Sequence, residues 1–338
     1  MDDAVTVERI DPADLDLDTA DEVAEVTNLS HEADRLPLPA QTGPAAMRFL
    51  QMQSDCRPVD GLWLARDARG RVLGRATVVL PWRDNTDLAT VRGEVRPDAR
   101  GKGVGRALFE QAVALVDEAG RGKVYSSAFE GTPGLRALPA LGYRPLGSFD
   151  AVRRLDLHRT PADRWRRLYD EAAGRAADYE LVHLVGPTPP GMLEDLVMLH
   201  AAINDAPLDD PEMEQGAWTA ERVSSYDAAM AGRRQTVYRV LARHRGTGEW
   251  AGMSMLCVDE FSPSVAFQED TSVVRAHRGH RLGLLMKTDM LCWLSAERPE
   301  VRATDTWNAT GNHHMIAVNE TLGASVVARL ANFRLDRT

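Results

Sequence analysis

The period of apolar positions along this chain switches repeatedly between two and about three and a half, which marks alternating strands and helices. Strand periodicity runs through Gly61–Asp67, Arg71–Leu80 and Leu88–Val95, with a turn at Ala68-Arg69-Gly70 between the first two. Upstream, a strand is expected at Val5–Ile10 and helices at Asp18–Ser30 and Gly43–Met52. After Val95 the period lengthens. Leu108, Ala112, Leu115 and Ala119 share one face of a helix over Gly105–Ala119. The β-branched and aromatic run Lys123–Phe129 predicts another strand. A short helix and a strand near Ala151–Leu157 close the series.

The series then begins again. Strands are expected at Tyr179–Val185, Gln235–His244, Trp250–Val258, Phe267–Val274 and Val301–Trp307. Pro187-Thr188-Pro189-Pro190 starts a helix near Met192–Ile203, and Thr219 is placed to cap a helix over Thr219–Ala231. Arg245-Gly246-Thr247-Gly248 is a turn, and further helices follow at Leu282–Leu294 and Asn312–Leu322. The segment Arg159–Asp178 reads as a helical connector. The repetition extends to single residues. Val95, Arg100, Gly101 and Gly105 align with Val273, Arg278, Gly279 and Gly283 at a constant spacing of 178, and Leu141-Gly142 answers Leu322-Gly323 at a spacing of 181. This is a duplicated domain. The expected organisation is a first domain over residues 1–158, a connector over 159–178 and a second domain over 179–338.

Composition narrows the function classes. A length of 338 residues suits two domains, each able to bury a core. The formal net charge of -10 argues against a nucleic-acid partner, whose phosphates need a basic face, and mildly favours a cationic or amine-bearing small molecule. No run approaches the roughly 20 apolar residues of a membrane span, and the acidic N-terminus lacks the pattern of a signal peptide. Cys56, Cys257 and Cys292 are widely spaced, which suits a cytoplasmic protein with neither disulfides nor a zinc site.

The chemistry is expected at Arg100-Gly101-Lys102-Gly103-Val104-Gly105-Arg106, which leaves a strand and opens a helix. The first turn of a helix has unpaired N–H groups, and with the helix dipole these form an anion site that suits a pyrophosphate. The loop lacks the GK[ST] ending of a nucleotide-triphosphate loop, and it follows several strands instead of the first, so it is not a dinucleotide fingerprint.

Val95-Arg96-Pro97, together with this loop, resembles motif A of the GNAT N-acetyltransferase superfamily, and the preceding β-meander resembles that family too. The likeness covers both halves. It implies a mixed α/β fold (α+β, mixed sheet) made of two tandem GNAT-like acyl-CoA N-acyltransferase domains, each sheet splaying between its fourth and fifth strands. Acetyl-CoA or another short acyl-CoA is the implied co-substrate, with no metal. Its pyrophosphate would meet Gly101–Arg106 in the first copy. In the second it would meet Arg278, Gly279, His280, Arg281, Leu282, Gly283 and Leu284. Its pantetheine would pair with the strand ending at Val95 or at Val273. The acceptor would be a small amine that attacks the thioester directly.

The copies depart from the family pattern in different ways. Arg281 replaces the middle glycine, Gly103, and would either obstruct the close approach or add a cation for the phosphates. The second reading is favoured, because Arg278, Gly279 and Gly283 remain. The family's CoA-contacting Asn is matched by Asn312, whereas the first copy has Gly131 there. The family's thiolate-protonating Tyr is replaced by Leu138 in the first copy and by Asn319 in the second, which leaves Asn319 as the polar candidate at that position. Base candidates lie on the strand before each loop. In the second copy they are Glu269 and Asp270, adjacent acids that strand alternation would put on opposite faces, Glu269 sharing a face with Thr271. In the first copy Glu94 competes, although an ordinary cross-strand charge is the better reading. The second copy is therefore expected to be catalytic. Asp305 could orient the amine. His277, His280, His313 and His314 supply no known metal-ligand spacing. Trp218 and Trp307 read first as core.

Overall fold

The computed structural model describes residues 5–205, 212–309 and 311–337. The chain divides into two compact units. Unit 1 is Met1–Asp150 with Glu212–Glu214 and Ala328–Thr338; unit 2 is Ala151–Pro211 with Gln215–Val327. Among the described residues no helix is long and apolar enough to cross a membrane.

Unit 1 contains strands β1 (Thr6–Arg9), β2 (Gly61–Arg66), β3 (Val72–Val79), β4 (Leu88–Val95) and β5 (Lys123–Phe129). Its helices are α1 (Leu17–Ala33), α2 (Gly43–Gln51), α3 (Val104–Glu118) and α4 (Gly134–Ala140). The first four strands pair in an antiparallel meander, and β5 then joins β4 in parallel. Strand β2 is buried on both faces. Leu62 and Leu64 pack with residues of α1 and α2, while Trp63 and Ala65 pack with those of α3. A strand sandwiched between helices needs no polar side, so it reads as a continuous apolar run. The inward stripe of α3 is Val104, Leu108, Ala112 and Val116, at four-residue steps, with Val113 beside it. Ala119, expected on that face, is exposed at the C-cap.

The next strand, β6 (Arg144–Asp156), starts seven residues before the strand expected from Ala151. Its residues up to Asp150 belong to unit 1 and those from Ala151 to unit 2.

Unit 2 continues with α5 (Ala162–Ala173), β7 (Tyr179–Val185), α6 (Leu193–Ala201), α7 (Ala220–Gly232), β8 (Gln235–His244), β9 (Trp250–Asp259), β10 (Val265–Val273), α8 (Leu282–Glu297), β11 (Ala303–Ala309) and α9 (His313–Leu322). The order within its sheet is β7-β8-β9-β10-β11, followed by β6. The meander is antiparallel through β10, and β11 joins β10 in parallel, as β5 joins β4. Val240 and Ala242 pack on one face, and Leu241, Met253 and Met255 pack on the other with α6 and α7 residues. The expected connector is part of this core. Trp165 and Ala172 of α5 are buried against α8, which explains why α8 is apolar nearly all round.

The division differs from a linear one at its end. The last strand, β12 (Ser325–Asp336), has no counterpart in the sequence reading. Its residues 330–336 pair antiparallel with β5, from Leu330 opposite Phe129 to Asp336 opposite Lys123. Ala331 and Phe333 complete the apolar core of unit 1. Arg334 there binds Glu212 at 3.0 Å and Asp336 at 2.7 Å, and Arg337 binds Asp117 at 2.6 Å.

Candidate functional site

Each unit contains the same split between parallel strands. In unit 1, β4 and β5 pair only at Leu88–Lys123, Ala89–Val124 and Thr90–Tyr125, and the pairing ends there although both strands continue. In unit 2, β10 and β11 pair from Val265–Ala303 to Gln268–Thr306 and then part. The facing edges beyond those points lack ladder bonds, so their backbone groups stay available to an extended ligand.

A loop follows each split, built alike bond for bond at the spacing of 178. Arg96 N–H donates to Leu73 O, as Val274 N–H does to Ala251 O. A 3-10 turn follows, Pro97–Ala99 in one unit and Arg275–His277 in the other. Gly101 and Gly279 have φ of 75° and 90°. Gly103 caps α3 at φ 85°, and Arg281 caps α8 at φ 57°, ψ 22°. Arg281 thus takes the left-handed conformation of the glycine it replaces, at a cost of roughly 1–2 kcal/mol, and the loop keeps its shape. A Cβ at Gly101 or Gly103 would meet nothing within 4 Å, so those glycines serve backbone conformation, not space. In both loops the N–H groups of the first helical turn, at Val104, Gly105 and Arg106 and at Leu282, Gly283 and Leu284, lack intrahelical acceptors. Arginines in the loops do structural work. Arg100 donates to Val95 O at 3.2 Å and binds Asp34 bidentately at 2.6 and 2.9 Å. Arg278 donates to Val273 O at 3.1 Å. Arg281 is paired with Glu171 of α5. Lys102 and His280 are exposed.

A second pair of glycines escaped the sequence reading. A Cβ on Gly74 would lie 2.7 Å from Glu94 O, and one on Gly252 would lie 2.7 Å from Ser272 O. These positions are also 178 apart, and they let the strand that carries the base candidates press close to its neighbour.

The carboxylates differ sharply between units. Glu94 sits opposite Arg75 in regular register and binds it at 3.0 Å. Thr27 Oγ1 donates to it at 2.5 Å. Burial opposes its charge, but Arg75, Thr27 and His31 together hold its pKa below the usual value. In unit 2 the pairing of β10 with β9 slips between Gln268 and Thr271, where β10 carries one residue more than its partner. Glu269 and Asp270 occupy this bulge. Among the described residues neither carboxylate forms a hydrogen bond or an ion pair, although Gln268 Nε2 donates to the Glu269 backbone oxygen at 3.3 Å. Glu269 is exposed to solvent at the bulge. Desolvation, then the adjacent Asp270, raise its pKa to about 7, against the opposing pull of Arg233. Burial raises Asp270 as well. The bulge breaks the alternation expected from the sequence. Thr271 bonds Ser254 and lies by Gly283 of α8, whereas Glu269 acts electrostatically on Tyr226 of α7 and on Cys257. Glu269 and Thr271 are therefore on opposite faces, not on one.

Around the second split the other candidates have fixed tasks. Asn312 caps α9 by accepting from Met315 N–H at 3.3 Å. Asn319, 2 % exposed, donates to Asn308 Oδ1 at 2.8 Å. Asp305 is buried and held bidentately by Arg154 at 2.7 Å, so its charge is already matched. Trp218 stacks on His200, in contact with the α6–α7 core, while Trp307 is 43 % exposed on β11 and is not core. Among the described residues no group of three or more His, Cys, Asp or Glu is placed to hold a metal. A small pocket missed by the sequence reading lies where β10 and β11 part. Gln268, Lys287, Thr306 and Asn319 line it, with Arg153 and Thr304. The signal was available: Lys287 is the one lysine inside the apolar run Leu282–Leu291.

A mixed sheet that splits beside a helix-opening loop with unpaired N–H groups is present in each unit. Residues 24–143 match the model of the acetyltransferase (GNAT) family. Over the whole chain the fold is similar to a tandem GNAT protein from the clavulanic acid biosynthesis pathway. That likeness has a TM-score of 0.80 at 26% identity, and it covers 98% of both chains. A GCN5-related N-acetyltransferase from Sphaerobacter thermophilus shares the fold with a TM-score of 0.66 at 17% identity, covering 98% of this chain and 95% of the other. A search of curated proteins by sequence finds no match. The chain carries a GNAT acetyltransferase domain and has the tandem GNAT fold.

Proposed function

We propose that the protein transfers acetyl, or a similar short acyl group, from CoA directly to a small amine, and that unit 2 performs the chemistry. The observation that carries this reading is the contrast between the carboxylates beside the two splits. A base must be able to take a proton near working pH. Glu269, unpaired and raised to about 7, meets that need, with Asp270 beside it. Glu94 is locked to Arg75 and Thr27. The residues present suit CoA: unpaired loop N–H groups for its pyrophosphate, and a free strand edge for its pantetheine. CoA supplies the activated acyl carbon. The chain orients it, holds its pyrophosphate on the loop N–H groups, steadies the charge developing on the thioester oxygen with a backbone N–H at the strand edge, and takes the amine's proton at Glu269. A second reading applies to unit 1, because Glu94 is committed there. That unit would bind acyl-CoA without turning it over and serve a structural or sensing purpose.

The test is turnover of acetyl-CoA with a panel of amines by Glu269→Gln, Asp270→Asn and Glu94→Gln. Loss of the base lowers the rate by about 10²–10⁴-fold. That loss is expected in a unit 2 variant, with CoA affinity little changed, while Glu94→Gln stays near wild type. Activity lost only in Glu94→Gln reverses the assignment of units.

A further inference from the structure

Lys287 of α8 is 3 % exposed. At the matching place in unit 1, 178 residues earlier, stands Phe109, packed against the apolar core. Burying an ammonium without a partner costs several kcal/mol, so a helix built only for packing would keep an apolar residue there. Among the described residues the Lys287 ammonium forms no hydrogen bond or ion pair, and burial lowers its pKa to about 7. Its side chain lines the pocket with Gln268, Thr306 and Asn319. Gln268 and Thr306 are the last paired residues before the split, so the pocket lies at the closed end of the cleft. The next residue of β10, Glu269, is turned to the α7 side of the sheet. A proton-accepting group and a proton-donating group therefore stand on opposite faces of one split.

Acyl transfer to an amine moves two protons: the amine gives one up and the departing thiolate needs one. The amide of Asn319, at the family's tyrosine position, has no acidic proton to give. We propose that Lys287 is the catalytic proton donor to the departing thiolate in unit 2, an inference that rests on the acyl-CoA reading of that cleft. As the C–N bond forms and the C–S bond breaks, Nζ–H passes its proton to sulfur, and Glu269 takes the proton of the amine. Lys287 ends neutral and Glu269 protonated, and exchange with solvent restores both. The transfer runs downhill, because an ammonium of pKa about 7 is a stronger acid than a thiol near 8.5. The other charged group lining the pocket is Arg153 of β6; β10, β11 and α9 contribute Gln268, Thr304, Thr306 and Asn319. Asp305 of β11 is engaged by Arg154 and is not among the lining residues.

The chain has only the lysines Lys102, Lys123 and Lys287, so side-chain 13C labelling of lysine gives three resonances, and Lys287→Met identifies one. That resonance is expected to titrate near 7 and to shift when CoA is added to a Gly103→Glu background, in which unit 1 is disabled. In the same background Lys287→Met and Lys287→Gln are expected to lose about 10²-fold in kcat at neutral pH, with acyl-CoA affinity by calorimetry little changed. The loss narrows with an activated aryl thioester, whose thiolate departs without a proton. A resonance titrating near the ordinary ~10.4, or variants that turn over at the wild-type rate, overturns the proposal. Absence of binding heat in the Gly103→Glu background instead overturns the acyl-CoA reading of unit 2, which a failure of Lys287 alone leaves standing.

Discussion

Glu94 and Glu269 are both glutamates on the strand that borders a split, yet their surroundings set them to different tasks. The raised pKa of Glu269 has two measurable consequences. As a base it must be ionised, so it contributes an ascending limb to kcat/KM near pH 7, set against the descending limb of a Lys287 that must be protonated, and Glu269→Gln removes the ascending limb alone. The effect on stability has the opposite sign. The folded protein holds the proton more tightly than the unfolded chain does, so the group favours folding below about 4.5 and loses that contribution as pH rises through about 7. Glu269→Gln is therefore expected to raise Tm relative to wild type at pH 8, with the difference shrinking toward pH 4.5. A thermal melt series checks it. The sequence showed that two acids on a central strand were unusual. It did not show the bulge, because one extra residue in a ladder depends on the partner strand and leaves no mark on its own periodicity.

The repeated elements were legible wherever a local rule governs them. The glycine loops, the α3 stripe and the meander strands all follow from periodicity or from left-handed backbone needs. Arg281 marks the limit of that reasoning. Its identity breaks the motif, yet its backbone copies Gly103. Gly103→Glu in unit 1 is expected to abolish CoA binding there, since φ 85° disfavours any side chain and the new charge repels pyrophosphate. Calorimetry on the variant measures the lost site. Gly74 and Gly252 looked like ordinary strand residues, because the constraint on them comes from a neighbouring backbone far along the chain. Gly252→Ala is expected to destabilise the protein by about 1–3 kcal/mol, as an overpacked core does. Gly93 of β4, where a Cβ would make only an ordinary 3.5 Å contact and φ is not positive, supplies the control in a denaturant titration.

For the whole molecule, duplication was readable but the partition of the chain was not. Two copies at a constant spacing suggest two consecutive domains, whereas residues 328–338 belong to unit 1. Strand pairing between distant segments leaves no short-range pattern, and Ser325–Asp336 carries polar residues on both sides of its alternation. A fragment of residues 1–158 lacks the strand that pairs with β5, and it is expected to be unfolded or aggregated when expressed alone. Supplying residues 325–338 in trans, or fused through a flexible linker, is expected to restore cooperative unfolding by circular dichroism. A well-folded isolated fragment would refute this dependence.

This arrangement also sets an order in time. During synthesis, which proceeds at about 5–20 residues per second, the N-terminal half emerges first and would ordinarily settle first. Here β5 waits with an open edge while all of unit 2 is translated, because its partner residues 330–336 come afterwards. Premature termination anywhere before residue 328 would therefore impair the early half of the product, for want of its final strand. The ribosome must deliver nearly the whole message before the first half of the protein can finish folding.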